Sequence, residues 1–489
     1  MYKLTNGSFK INMFFKKFHS SDSFISYLTE KNQKLELLAM IALYILVFVS
    51  IQITYPYPAV TADTGNYILS AKTSIINGYR PMGYSWFIQL FHLFSENIKA
   101  IFIGQFIINC IAQLSFIFSV KYFFQLKNIP FYLFSLLFVL SPSIIFCTNY
   151  IMSDSIFNSL TLLYLTTAIW IIKHPNLVNI IFHFIVLYLT INVRYAALFY
   201  PILSIVIFIL HSKKNKLFIA IALVPLLIGT IIYFDTKSTI KKTYDIEQFS
   251  AFGGWALANN AVSIIPHIYL EPEEIENEDS RLIHKIITRF PDSTYSHKHI
   301  NATDFMWKKN FPGKKVLYHI QRESKLRYTQ AWMLTGNKFK NYGSFLIKNY
   351  PIEYFKYYIF PNCKQLFYSY KVPNVKKYVP SNLSKGYFNL QFDRYDYKYS
   401  FLHKLNPVRK IFIPLLWILF FCSIIVLFKK KLIFKNEQTL LFLFLLIFFL
   451  TYVGFSIIAH PINNFRYLIP IYCIQLLIPI IVLNKTLRK

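Results

Sequence analysis

The feature that most constrains this chain is the recurrence of apolar blocks long enough to cross a lipid bilayer. A helix rises about 1.5 Å per residue, so about 20 apolar residues match a hydrocarbon core about 30 Å thick. Such blocks lie near 36–54, 98–120, 129–147, 155–172, 177–193, 196–211, 216–234, 408–428, 438–459 and 466–484, with the 177–193 and 196–211 pair the shortest. The expected fold is an all-α integral membrane protein, a polytopic bundle of about ten transmembrane helices. Composition agrees: 55% of the 489 residues are hydrophobic and only 15% are charged, whereas a soluble domain must cover its core with polar residues.

A formal net charge of +30 invites a nucleic-acid reading, but the placement of the cations argues for no nucleic-acid partner. Lysines crowd the N-terminal tail (Lys3, Lys10, Lys16, Lys17, Lys31, Lys34) and then alternate short loops: Lys121 and Lys127; Lys173; Lys213, Lys214 and Lys216; Lys429, Lys430, Lys431 and Lys435; Lys485, Arg488 and Lys489. The intervening short loops hold chiefly Lys72, Arg80, Arg194 and Arg466. Short cytoplasmic loops are enriched in Lys and Arg, so ten spans place both termini in the cytoplasm. The first apolar run follows a long basic tail and has no small-residue cleavage site behind it, which predicts a retained anchor. The five cysteines form no disulfide framework, with Cys147–Cys363 the one pairing left open. A composition rich in Lys, Ile and Asn points to an AT-rich bacterial genome, hence to a bacterial cytoplasmic membrane.

Four regions follow: a basic tail at 1–34, a transmembrane region of about seven spans at 35–234, a large outer domain at 235–407, and three spans at 408–489. The first outer loop, 55–97, opens with Tyr55-Pro56-Tyr57-Pro58, which cannot continue a helix. Within it, 64–78 reads as a short helix stopped by Gly78, and 82–94 as an apolar interfacial helix too short to span. Two such helices in one loop suggest a lipid-side cavity. The large domain has short apolar runs, predicts mainly helix, and is long enough to bury a core of its own.

Four separated segments bring five ionisable groups to the same outer level: Asp63, Asp154, Arg194, and His460 with Arg466. Charges at that depth are expensive unless they pair or face a site. Each has a plainer reading. Asp63 and Asp154 suit helix N-caps, with Ser153 a competing cap. Arg194 suits a snorkelling anchor, Arg466 a headgroup contact, and His460 a boundary residue before Pro461. Together they suit a different chemistry: a carboxylate that takes a proton from an attacking hydroxyl, and cations that stabilise a departing phosphate. No Walker-type Gly-Lys-Ser/Thr, zinc-spaced Cys/His cluster or Gly-x-Ser-x-Gly is present.

At these residues the sequence resembles the lipid-phosphate-sugar-dependent glycosyltransferases of the GT-C class, including the protein O-mannosyltransferases and bacterial aminoarabinose transferases. The likeness lies in ordered positions. Asp63 is followed by Tyr67, Ala71, Asn77-Gly78 and Arg80-Pro81-Met82-Gly83-Tyr84; then come Ser141-Pro142, Ser153-Asp154, Arg194 and Pro201, and finally Asn464-Phe465-Arg466-Tyr467-Leu468-Ile469-Pro470. It covers roughly the first 210 residues and the last 30. The resemblance implies Asp63 as general base, Asp154 as second acid, and substrate contacts from Arg80, Arg194, Arg466, Tyr67 and His460. It also implies a polyprenyl-phosphate-linked sugar donor, a glycan, lipid or protein acceptor, surrounding membrane lipids, and no cofactor, with a divalent metal as a lesser alternative. Two departures stand out: Thr64 follows Asp63 where many members have an acidic pair, and Arg80-Pro81-Met82 stands where aminoarabinose transferases often have Lys-Pro-Pro. The segment Gly253–Asn260 has no counterpart there; Trp255 suits either a sugar platform or a buried core position. The rival readings are an oligosaccharide-repeat polymerase, a lipid-oligosaccharide transporter, and a structural or sensory membrane protein.

Overall fold

A computed structural model describes residues 19–61, 63–212, 215–295, 302–369, 371, 377–397, 402–429, 436–462 and 465–487. The lysines of the first 17 residues, Lys213, Lys214, the 430–435 cluster, Asn464 and the last two residues lie outside that set. Helix dominates; the only two-stranded ladder among the described residues pairs Lys377–Tyr378 with Tyr395–Asp396. The protein is therefore an all-α, multi-pass membrane type.

Among the described residues, seven helices are long and apolar enough to cross a bilayer: Lys31–Thr54, Lys99–Phe124, Ser153–Lys173, Leu217–Tyr244, Asn406–Lys429, Gln438–Ala459 and Phe465–Thr486. An eighth is counted if Asn128–Val139 and Pro142–Thr148, bent by 44° at their junction, form one span. Pro142 removes a backbone donor there, which accounts for the break. The expected count of ten is thus not reached by length: Leu177–Val193 and Tyr195–His211 are shorter apolar helices.

Ser153–Lys173 runs through the middle of the bundle and is the most enclosed span. Its polar groups find partners on neighbouring helices. Tyr164 Oη donates to the Tyr200 carbonyl at 3.0 Å, and Thr161 Oγ1 meets Tyr200 Oη at 3.0 Å. His183 links Thr167 (2.8 Å) to Ser204 (2.9 Å). Such pairing is what makes polar residues tolerable where no water reaches. By contrast, Lys31–Thr54 and Leu217–Tyr244 leave most of their apolar surface uncovered, as a lipid-facing helix does. At the far end of Lys31–Thr54, Glu36 and Lys121 form a buried ion pair.

The first loop departs from its expected layout at one point. Its first helix is Thr64–Thr73, and it stops at Ser74 in the left-handed conformation (φ 56°), four residues short of Gly78. Gly78 is instead a packing position, where an added Cβ would lie 2.5 Å from Met333 Sδ. The second helix, Gly83–Phe94, falls where expected.

The boundary expected at 235 is no break, since the Leu217–Tyr244 helix continues past it. Beyond Tyr244, helices at Ala251–Ala261, Glu278–Ile287, Pro312–Ser324 and Tyr328–Asn349 enclose a second core built on Trp255, Trp332, Phe339 and Tyr342. Ile76 of the first loop belongs to that core, so the large loop packs down on the first. Trp255 is fully buried, donates from Nε1 to the Trp332 carbonyl at 3.0 Å and stacks on the Trp332 ring; this removes the sugar-platform reading. Cys147 and Cys363 are both free thiols, so no bridge joins them.

Close approach of two helices explains the glycines around Trp255. A Cβ on Gly254 would sit 1.8 Å from the Gly336 carbonyl oxygen, and one on Gly336 would meet the Ala251 oxygen at 2.6 Å. Gly253, one residue away, faces open space. Gly254→Ala is expected to destabilise by about 1–3 kcal/mol through overpacking. Gly253→Ala should be neutral or stabilising by up to about 1 kcal/mol, because alanine is the better helix former. Thermal unfolding of the two variants in detergent, against wild type, checks the contrast.

Candidate functional site

The residues singled out from the sequence meet at the end of the bundle that carries the large loop. Construction starts with a short parallel bridge between the first loop and the segment before the central span. Ala59 N donates to the Asn149 carbonyl (2.7 Å), and Ile151 N donates to the Ala59 carbonyl (3.1 Å). Thr64, buried, extends this seam: its hydroxyl donates to the Ile151 carbonyl (2.9 Å) and accepts from Thr61 N (2.9 Å). The residue that breaks the acidic pair of the resembled family thus fixes the start of the first-loop helix against the central span.

Asp63 occupies the N-cap position of that helix without making a side-chain cap bond. Its Oδ1 pairs with Arg80 Nη2 at 2.7 Å. The other terminal nitrogen, Arg80 Nη1, donates to Tyr67 Oη (2.9 Å), and Tyr67 Oη meets Ser153 Oγ (2.9 Å). Tyr67 is held from behind: Tyr84 packs edge-on against it, with Tyr84 Oη donating to Gln105 Oε1 (2.7 Å), and Gln105 Nε2 donates to the Thr148 and Tyr150 carbonyls. One connected chain therefore runs from Asp63 to the first turn of the central span.

Asp154 sits in that same turn. It does not cap the helix, whose N-cap is Met152; it accepts from Arg194 Nη1 at 2.6 Å. Arg194 follows the Leu177–Val193 helix in extended conformation, and its guanidinium lies over the Phe157 ring. It is a paired cation rather than a lone interfacial anchor. The two acids differ in access: the Asp63 side chain is 28% exposed and Asp154 6%. Asp63 Oδ2 has no hydrogen-bond partner among the described residues, so the accessible acid also has an oxygen available.

Arg466 enters from a short 3₁₀ turn, Phe465–Leu468, ahead of the last helix. Its Nη2 donates to Tyr467 Oη (3.1 Å), its Nη1 approaches Met152 Sδ (3.9 Å), and it lies within electrostatic reach of both Asp154 and Asp63. The Tyr467 ring packs on His460, 4.1 Å between centroids. Asn362, buried in the Phe360–Tyr368 helix of the large loop, donates to the Ile457 and His460 carbonyls and accepts from Ile462 N at 2.7 Å, clamping the turn that presents Arg466. His460 was expected as a near-basic member of the group. Burial, reinforced by Arg194 and Arg466, pushes its imidazole down to about 4, so at neutral pH it is an uncharged packing partner.

Beside Arg466 lies a cavity of about 210 Å³ lined by Val60, Thr61, Phe146, Cys147, Tyr150, Met152 and Ile469, with Ser143, Lys371 and Arg466 as its other polar lining. Thr61 and Met152 each stand two residues before a candidate acid, though neither acid lines the cavity itself. Its walls come from the first loop, the broken third span, the segment leading into the central span, Lys371 of the large loop and the start of the last helix, not from the two interfacial helices. Ser143, Lys371 and Asn362 were missed because nothing in their local sequence marks them. Among the described residues no three His, Cys, Asp or Glu side chains gather as a metal site, and each candidate acid already carries an arginine, so no step below runs through a metal. No family model matches the chain, and neither a curated protein nor a solved structure matches it.

Two consequences can be measured. Arg194→Met strands the buried Asp154 carboxylate and is expected to cost about 3–5 kcal/mol. Arg80→Met costs less, because Asp63 keeps water. The order of the two unfolding midpoints tests this. For His460, the unfolded ring titrates near 6.5 and the folded one near 4. Between those values the unfolded chain binds the extra proton, so stability falls as pH drops through the window. His460→Gln should flatten the drop in unfolding midpoint between pH 7 and pH 5.

Proposed function

We propose that this protein is a membrane glycosyltransferase that moves a sugar from a polyprenyl-phosphate donor to a glycan, lipid or protein acceptor. The observation that carries the reading is the convergence of Asp63, Arg80, Tyr67, Asp154, Arg194 and Arg466 beside one apolar-walled cavity containing cations and no carboxylate. In this reading the bundle crosses the membrane ten times, the two shorter apolar helices included. At 17 residues each spans about 25 Å, the lower limit for a crossing. Both termini then face the cytoplasm, and the site faces outward from a bacterial inner membrane.

The reaction divides among residues by their engagement. Asp63 Oδ2 accepts the proton of the acceptor hydroxyl as its oxygen attacks the anomeric carbon. The bond from that carbon to the phosphate oxygen breaks, and the electron pair leaves with the polyprenyl phosphate. A single displacement inverts the anomeric configuration. Arg80 holds Asp63 in place through Oδ1, which leaves Oδ2 to accept a proton. The Arg80–Tyr67–Ser153 chain sets the distance between the first loop and the central span. Arg194 neutralises Asp154, whose pair shapes the acceptor side. Arg466, which lines the cavity, stabilises charge as it builds on the leaving phosphate.

The test is release of free polyprenyl phosphate from a panel of lipid-phosphate sugars, with a cell-envelope extract as acceptor. Asp63→Asn should cut release at least about a hundredfold, the range for loss of a general base. Equal release by wild type and variant removes Asp63 from the mechanism. Activity that survives Asp63→Asn but not loss of Arg466 points instead to an oligosaccharide-repeat polymerase.

A further inference from the structure

Arg409 has no role in the account so far. It lies in the first turn of the Asn406–Lys429 helix and is 5% exposed. Its Nη2 donates to Ser143 Oγ at 2.5 Å, its guanidinium covers the Phe465 ring, and its Nη1 has no partner among the described residues. No carboxylate of the described residues acts on it. This sets it apart from Arg80 and Arg194, each neutralised by an acid. A guanidinium buried without a counter-charge is penalised by several kcal/mol, and ionisable groups at such depth persist where a ligand or pathway uses them.

Ser143 connects this cation to the cavity. Ser143 is a lining residue, and because its Oγ accepts from Arg409 the hydroxyl hydrogen is left to donate. Lys371 and Arg466 line the same space, no Asp or Glu does, and the remaining walls are largely apolar. A volume of about 210 Å³ equals that of about seven waters, room for a phosphate and its first few carbons. We infer that Arg409 is a positioning residue, acting through Ser143, for a lipid-borne phosphate in this cavity. The inference rests on the transferase reading only for what the phosphate belongs to.

The probe is farnesyl phosphate, titrated into the full-length protein in detergent, with the unfolding midpoint and a direct binding isotherm as readouts. Farnesol and inorganic phosphate at the same concentrations separate a lipid phosphate from a bare chain or a free anion. Wild type should show a saturable upward shift with farnesyl phosphate alone. Arg409→Met should bind at least tenfold more weakly, while its ligand-free midpoint equals or exceeds that of wild type because an uncompensated charge has gone. Arg409→Lys should restore most of the affinity, and Ser143→Ala should lose about as much as Arg409→Met. Unchanged affinity in both Arg409→Met and Ser143→Ala overturns the inference, as does an equal shift with inorganic phosphate or farnesol, or no shift in wild type. Gly253→Ala should bind the probe normally. An Arg409-dependent site in a protein that transfers no sugar therefore sinks the transferase reading and leaves this one standing.

Discussion

The site depends on the guanidinium of Arg80. One of its terminal nitrogens holds Asp63 and the other holds Tyr67, whose hydroxyl reaches Ser153 in the first turn of the central span. A charged donor with a fixed fork can do this, whereas a lysine point charge cannot hold two acceptors in set directions. From Ser153 the connection passes one residue along the helix to Asp154 and across to Arg194. Charges at this depth need partners, and meeting that need in this order joins the first loop, the central span and the end of the following helix into one rigid frame.

On that frame the two acids have different prospects. Asp154 is enclosed and paired with Arg194 through Oδ1, which suits holding a shape. Asp63 is restrained through one oxygen and open at the other, which suits taking a proton from something that arrives. The cations divide similarly. Arg80 and Arg194 answer carboxylates, whereas Arg466, Lys371 and, through Ser143, Arg409 gather around a largely apolar space without an acid in it. Paired carboxylates and acid-free cations thus occupy neighbouring parts of one surface, the arrangement that the proposed transfer from a lipid-phosphate sugar requires.

Much of this was legible in the sequence, because a charge at the edge of an apolar run is conspicuous. The all-α class follows from the apolar blocks, the break after Thr54 from Tyr55-Pro56-Tyr57-Pro58, and the grouping of Asp63, Asp154, Arg194 and Arg466 from that signal. What was not legible depends on distance along the chain. Thr64 looked like a departure from a motif, and only the Ile151 carbonyl, 87 residues on, explains it. Asn362 clamps the turn before Arg466 from 100 residues away. Trp255 suits a sugar platform or a core position equally by sequence, and the reason for Gly254 beside it is the backbone of Gly336. Arg409 was readable in principle, as a cation inside an apolar run, and was passed over as the edge of a span. Length alone supports seven or eight spans among the described residues, because two of the apolar runs form helices of 17 residues.

The most direct measurement is a structure of the protein in a lipid nanodisc with a non-transferable donor analogue, one whose bridging oxygen is replaced by carbon. The account expects the phosphonate between Ser143 and Arg466, the tail leaving along Phe146 and Ile469, and the anomeric carbon facing the open oxygen of Asp63 across the width of one hydroxyl. A donor bound at the opposite end of the bundle, near Glu36 and Lys121, or a sugar turned away from Asp63, contradicts it.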